Sequence, residues 1–267
     1  MPAPDIWARF LSSPRLSLTS AAVAILAALD PASAAPCGLD VLGQGRVAAI
    51  IDWRSFRLAD GREVRLAGIE HGGPEDRQRA AAALAAILTG HDVMLRGEDD
   101  TPDRYGRQSA FVVLLPAETL VQEKLLAQGE VMASPAVADK ACAAVLLGAE
   151  ASARAARQGI WASPSAIKNT ESPGDILAGT GRFMLVEGRV LTVRQAGATT
   201  YLNFGRNWTR DFAVTISRRV LPGFEAAGMA PRSLENRRIR VRGFVEARGG
   251  PRIEALGVGQ IELLGGN

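Results

Sequence analysis

Between Arg46 and Ile69 the chain changes direction too often for anything but short strands. Arg46-Val-Ala-Ala-Ile-Ile51, Ser55-Phe-Arg-Leu58 and Glu63-Val-Arg-Leu-Ala-Gly-Ile69 are brief apolar runs, the last two separated by Ala59-Asp60-Gly61. Runs of this length broken by Asp-Gly predict a β-meander. After Pro74, the Ala/Leu-rich stretch from Glu75 to Thr89 has an acidic start and a Gly90 stop, which predicts a helix. Further strands follow at Asp92–Arg96 and Ser109–Leu115, then helices near Leu120–Gln128 and Asp139–Gln158. The expected fold is α+β: a small OB-like barrel with three helices over residues 35–165.

The stretch from Ser163-Pro164-Ser165 to Gly179-Thr180-Gly181 is rich in Ser, Pro, Gly and Thr, which predicts a linker over residues 166–180. Beyond it, five strands are expected at Phe183–Val193, Thr199–Phe204, Phe212–Ile216, Arg237–Ala247 and Arg252–Leu264, with a helix near Arg218–Gly228. Residues 181–267 thus read as a second small OB-like barrel. Phe204 and Phe244 are expected in its core. Tyr201, Trp208, Arg206, Arg210, Arg240 and Arg242 are the candidates for contacting a ligand, as aromatic platforms interleaved with guanidiniums.

At the N-terminus, Arg9 and Arg15 precede an apolar run from Leu16 to Leu29 that ends at Ala32-Ser33-Ala34. This is the pattern of a signal peptide over residues 1–34, and it implies a periplasmic or secreted protein. An N-terminal membrane anchor is the alternative, although the run falls short of the roughly 20 residues a spanning helix needs. No later segment is expected to span a membrane. Cys37 and Cys142, the only cysteines, then sit in an oxidising compartment and are expected to pair, with two free thiols as the alternative.

Two cysteines and two histidines leave too few ligands for a Cys/His zinc site and argue against a His-driven nucleophilic triad. Chemistry must rest on Arg, Asp and Glu. Charge is unevenly divided. Residues 35–179 hold 15 Lys+Arg against 19 Asp+Glu, whereas residues 180–267 hold 14 Arg against 7 Asp+Glu and no lysine. An Arg-only excess suits bidentate phosphate contacts and stacking on bases, so nucleic acid, in single-stranded form, is the expected partner.

Several segments resemble the staphylococcal-nuclease-like (thermonuclease) family. They are Ile51-Asp52, Phe56 through Ile69, Asp103-Arg-Tyr-Gly-Arg107, Leu125-Leu-Ala-Gln-Gly129 and Ala153-Arg-Ala-Ala-Arg-Gln-Gly-Ile-Trp161. The second half is similar to a C-terminal module attached to some bacterial members. The resemblance implies cleavage of nucleic-acid phosphodiesters with a calcium or other divalent ion. Arg65 and Arg107 match the two family arginines that stabilise charge on phosphorus. Tyr105 falls where a family tyrosine lies near the nucleotide.

Asp52 and Glu70 fall at the metal-ligand positions, but Arg54 stands where a further carboxylate is expected, and a cation there opposes calcium. Glu75 is the candidate general base, ten residues after Arg65 where the family spacing is eight. Its other reading is an acidic residue in the first turn of a helix. His71, in a Gly-rich loop, and His91, after a helix end, are weaker acid-base candidates, and Trp161 is expected in the core. Two functions follow: an exported nuclease with a degraded metal site, or a non-catalytic nucleic-acid or polyanion-binding protein on the same fold.

Overall fold

The structure is a computed structural model that describes residues 37–265, and all of these belong to one compact unit. The expected signal peptide lies outside the described residues. Among the described residues no helix is long and apolar enough to cross a membrane.

The first half contains β1 (Asp40–Ile50), β2 (Ser55–Leu58), β3 (Glu63–Leu66), β4 (Ile69–Glu70), α1 (Pro74–Leu88), β5 (Asp92–Gly97), β6 (Arg107–Leu114), β7 (Thr119–Leu120), α2 (Val121–Ala127), β8 (Met132–Ala133) and α3 (Lys140–Ala155). β1 pairs with β5 from Asp40 to Arg46 and with β2 from Val47 to Ile50, with a register shift between Val47 and Ala49 in the second pairing. β2 pairs with β3, β5 with β6, and a parallel β3–β6 pair closes the ring. The local signals act as expected. Asp60 accepts the Arg62 backbone N–H at 3.0 Å in the β2–β3 turn, where Gly61 adopts φ +91°. Pro74 starts α1, while Ala80, Leu84, Ile87 and Leu88 turn inward against Phe56, Leu58, Val64, Leu66 and Leu95 in one core. The Asp139 carboxylate caps α3 by accepting from the Cys142 N–H at 2.7 Å, and Cys142 is bonded to Cys37 as expected.

The second half contains β9 (Ile167–Asn169), α4 (Pro173–Leu177), β10 (Phe183–Arg189), β11 (Thr192–Ala196), β12 (Thr199–Asn203), β13 (Ala213–Ser217), α5 (Leu221–Ala226), β14 (Arg238–Arg248), β15 (Gly250–Ala255) and β16 (Ile261–Leu263). The single strand expected at Phe183–Val193 is broken at Val190-Leu191, and this break lets one chain segment serve two neighbours. β10 pairs with β14, and β11 with β12. The remaining pairs are β12–β13, β14–β15 and a parallel β13–β15. The pairing scheme therefore repeats that of the first barrel: a bent first strand, a meander, and one parallel closing pair.

Residues 166–180, expected as a linker, are structured. β9 pairs in parallel with β10, and Ile176 of α4 is buried in the second core. Serine, proline and glycine here supply turns and a helix start rather than freedom. A third apolar cluster joins Met132, Ala153, Ile160 and Trp161 of the first half to Phe183 and Leu185 of β10.

Beside that cluster lies an alternating chain of three glutamates and three arginines. Arg242, 2% exposed, grips the fully buried Glu150 with both Nη atoms, at 3.0 and 2.9 Å. Arg242 also donates to the Ala133 carbonyl at 2.9 Å, and Glu150 accepts the Ala133 N–H at 2.7 Å. Arg154 pairs with Glu150 and with Glu262, and Arg240 with Glu262 at 2.8 Å and Glu187 at 2.7 Å. Arg240 and Arg242, expected to face a ligand, are therefore corrected to structural roles. The strand alternation put both on one face, and that face meets α3 and β16 instead of solvent. Phe244 is also corrected: it is half exposed and packs edge-on against Phe183 at 5.4 Å. Phe204 and Trp161 are buried as expected.

Candidate functional site

Three turns converge at one end of the first barrel. The β1–β2 turn carries Asp52, Trp53 and Arg54; β3 and β4 carry Arg65 and Glu70; the β5–β6 turn carries Asp103 to Arg107. Asp52 accepts the Arg54 backbone N–H at 2.8 Å, so the carboxylate shapes its own turn. The Arg54 side chain folds back over the Trp53 ring, 4.6 Å from its centroid, and reaches Glu70 Oε2 at 3.4 Å. Arg54 is half-buried. Burial and then the charge of Arg65 lower its pKa, Glu70 and Asp52 oppose this, and Arg107 adds a smaller lowering. Burial raises the Glu70 pKa, against the pull of Arg54 and Arg65. Arg54, Arg65, Arg107, Asp52 and Glu70 thus form one electrostatically coupled group.

The Asp103–Arg107 turn is built by its first residue. Asp103 accepts the backbone N–H groups of Tyr105 at 2.9 Å and Arg107 at 3.1 Å, and Gly106 takes φ +77°. Arg107 returns Nε and Nη2 to Asp103 Oδ2 at 3.0 and 2.8 Å, and this fork lowers the Asp103 pKa to about 2. Tyr105 is exposed, with the Arg104 and Arg107 guanidiniums 4.8 and 5.0 Å from its ring centroid. Arg65 has no ion pair among the described residues. It projects from a strand locked on both sides, opposite Ser55 of β2 and Ser109 of β6.

His71 is pinned beside this group. Its ring stands edge-on to Trp53 at 4.6 Å, Nδ1 lies 3.1 Å from the Gly73 carbonyl, and Nε2 accepts from Arg77 Nε at 2.9 Å. Those partners require the neutral ring with hydrogen on Nδ1, in accord with a pKa lowered by burial and then by Arg77. His91 is exposed at the helix end, with Nδ1 3.1 Å from the Thr89 carbonyl.

Glu75 lies elsewhere. It lines a cavity of about 420 Å³ with Asp76, Arg79, Lys168 and Arg182, between α1 and the start of β10. Among the described residues it shares no hydrogen bond or ion pair with Arg54, Arg65 or Arg107. It stands in the first turn of α1, with its carboxylate folded back over Gly73.

Asp52 and Glu70 do not fit calcium. The guanidinium of Arg54 is already held by Glu70, and Asp52 already accepts the Arg54 N–H. A divalent ion needs several oxygen ligands free to converge. Among the described residues no group of three or more His, Cys, Asp or Glu side chains is placed to hold one.

On the second barrel, Tyr201 and Arg194 are cross-strand partners on β12 and β11. With Arg206, Trp208 and Asn203 they line a cavity of about 1090 Å³. Arg210, on the same loop, is exposed and 3.9 Å from Asp211.

A closed five-stranded barrel with helices between and after its strands, carrying clustered arginines at one end, is an OB-like α+β fold. Residues 63–163 match the family model described as staphylococcal nuclease homologue, and the chain carries a domain of that family. The matched segment includes Arg65, Glu70, Glu75 and Asp103–Arg107 and begins after the Asp52–Arg54 turn. No curated protein matches the chain.

Sequence reading missed Trp53, Arg77 and Arg104 around this site. The signal for Trp53 and Arg104 was present, since each adjoins a candidate. Arg77 is one helical turn into α1, and only the backbone path of residues 71–73 brings it to His71.

Proposed function

We propose that this is an exported, non-catalytic nucleic-acid-binding protein in which Arg54 supplies the fixed positive charge at a site built around Arg65 and Arg107. The observation that carries this reading is the Arg54 guanidinium held by Glu70 at 3.4 Å. A phosphodiester is an anion with two exposed oxygens, and planar guanidiniums grip it in pairs. Among the described residues Arg65 has no carboxylate within 4.0 Å, Arg107 is held by Asp103, and Tyr105 offers an exposed ring beside them for a base or sugar. Among the described residues Asp52 and Glu70 are engaged by Arg54 and Asp103 by Arg107, and Glu75 shares no hydrogen bond or ion pair with the arginines, which favours binding over deprotonation of water at this site. The Cys37–Cys142 disulfide is the kind of bond that persists outside the cytoplasm, which accords with export.

The test is fluorescence anisotropy with labelled single-stranded and duplex DNA and RNA in chelator, calcium, magnesium and manganese, with cleavage followed on gels. Binding should persist in chelator, fall steeply with salt, and drop in Arg65→Ala. Clustering of Arg65 with Arg107 also favours hydrolysis. Cleavage that appears with a divalent ion and disappears in chelator would replace binding with the nuclease reading.

A further inference from the structure

We infer that the second barrel carries its own site for single-stranded nucleic acid, with a base stacked on Trp208 and backbone phosphates held by Arg194 and Arg206. The site is separate from the first-barrel cluster but shares its ligand class, and in that respect rests on the function proposed above.

Trp208 is 77% exposed, which no packing argument explains. Its loop is nonetheless held. Asp211 Oδ2 accepts the Asn207 N–H at 2.8 Å, and Asn207 Oδ1 accepts the Thr209 N–H at 3.1 Å and the Thr209 hydroxyl at 2.6 Å. The benzo edge of the indole lies against the Gly249 turn, where a Cβ would stand 3.7 Å from Cζ3 and φ is +81°. A large ring fixed on one side and bare on the other is a stacking platform.

The rest of the cavity supplies what a nucleotide needs. Tyr201 and Arg194 face each other across β12 and β11, and Asn203 bonds Thr192 at 3.2 Å on the same face, leaving amide and hydroxyl groups near the platform. Among the described residues neither Arg194 nor Arg206 has a carboxylate within 4.0 Å, although Glu235 lines the far wall. A second cavity, of about 720 Å³, is lined by Arg189, Arg237 and Arg238 together with the paired Glu187 and Arg240. Unpaired guanidiniums beside an exposed indole suit a flexible polyanion with unpaired bases. A duplex hides those faces, and a neutral saccharide can accept hydrogen bonds from the arginines but leaves their charge uncompensated.

The experiment uses the full-length protein in chelator and reads tryptophan emission. The full sequence also holds Trp7, Trp53 and Trp161, the last two buried, so the change contributed by Trp208 is isolated by comparison with Trp208→Phe. Probes are a 12-residue oligothymidylate, a DNA duplex, inorganic polyphosphate and neutral chitohexaose. Oligothymidylate should quench Trp208, and polyphosphate should bind without quenching. Trp208→Ala should weaken oligothymidylate binding about tenfold with unchanged thermal unfolding, while Trp208→Phe stays within about threefold. The combined Arg194→Ala, Arg206→Ala variant should flatten the salt dependence by about 1.4 in slope, two phosphates' worth.

Trp208 emission unmoved by oligothymidylate, Trp208→Ala binding as tightly as the parent, or quenching by chitohexaose alone would each overturn the inference. An Arg65→Ala, Arg107→Ala variant separates the two sites. If the first-barrel reading fails, the Trp208 quench persists and this variant binds like the parent. If the present inference fails, the quench is absent and the dependence on Arg65 and Arg107 remains.

Discussion

Replacing Glu150 with glutamine should destabilise the protein more than any other change of a single polar atom. Glu150 is fully buried and accepts from three groups: both Nη atoms of Arg242, the Ala133 N–H, and Arg154. Glutamine keeps one acceptor oxygen but sets an NH2 against guanidinium donors, so Arg242, 2% exposed, loses its bidentate partner and is left with Glu262 at 4.0 Å. Removing one partner of a buried pair costs roughly 3–5 kcal/mol. At about 2–4 °C per kcal/mol for a chain of this size, the midpoint should fall by about 6–20 °C. Arg242→Met should cost less, because Glu150 retains Arg154 and the Ala133 N–H. The double variant should cost less than the sum of the singles. Urea unfolding followed by circular dichroism gives all three values. A Glu150→Gln variant within about 1 kcal/mol of the parent would show that the network does not hold the barrels together.

Arg54→Asp should weaken oligonucleotide binding in chelator and create calcium binding. It removes a repulsion of several kcal/mol, about 8 kcal/mol before solvent screening for a +2 ion at 4 Å and an effective dielectric near 20; calorimetry that detects no calcium binding would refute this. Asp103→Asn should release Arg107 and change the acid limb of stability. Because the carboxyl pKa is depressed to about 2 in the folded protein, its contribution is complete above the usual carboxylate range and disappears as pH falls from about 4 to 2. Acid titration of both proteins should converge in that window and diverge above it. Reducing Cys37–Cys142, which closes a separation of 105 residues, should lower stability by roughly 2–5 kcal/mol, measured by urea unfolding with and without dithiothreitol.

The elements most legible from sequence are those whose partners are close in the chain. Asp103 accepts from Tyr105 and Arg107, Asp60 from Arg62, and Asp139 from Cys142. The spacing that suggested each turn is also the spacing that forms it. Arg65 was singled out by resemblance alone, and the structure places it on β3 between β2 and β6. Arg240 and Arg242 were misread for a tertiary reason. Alternation gave the right face, but what covers that face is α3, nearly a hundred residues earlier, and nothing local marks Glu150 within an Ala-rich helix as its partner. Residues 166–180 misled in a different way, because a short parallel strand and a five-residue helix share the composition of a flexible tether. The orientation of Glu75 depended on how two inserted residues are absorbed, and spacing alone gives the length of an insertion without its path.

The buried ion chain and the Met132–Phe183 cluster mean that the two barrels cannot swivel independently. For a polymer that touches both, this shifts the whole search onto the ligand. A tethered pair of modules adjusts to whatever spans them, whereas a fixed pair is engaged together only by a strand long enough to reach. Affinity should therefore rise as a step at one threshold length instead of growing smoothly with each added nucleotide. Below the threshold, short oligomers should occupy the two barrels as strangers. In this arrangement the junction acts as a ruler, and the salt-bridged helix α3 sets its graduation.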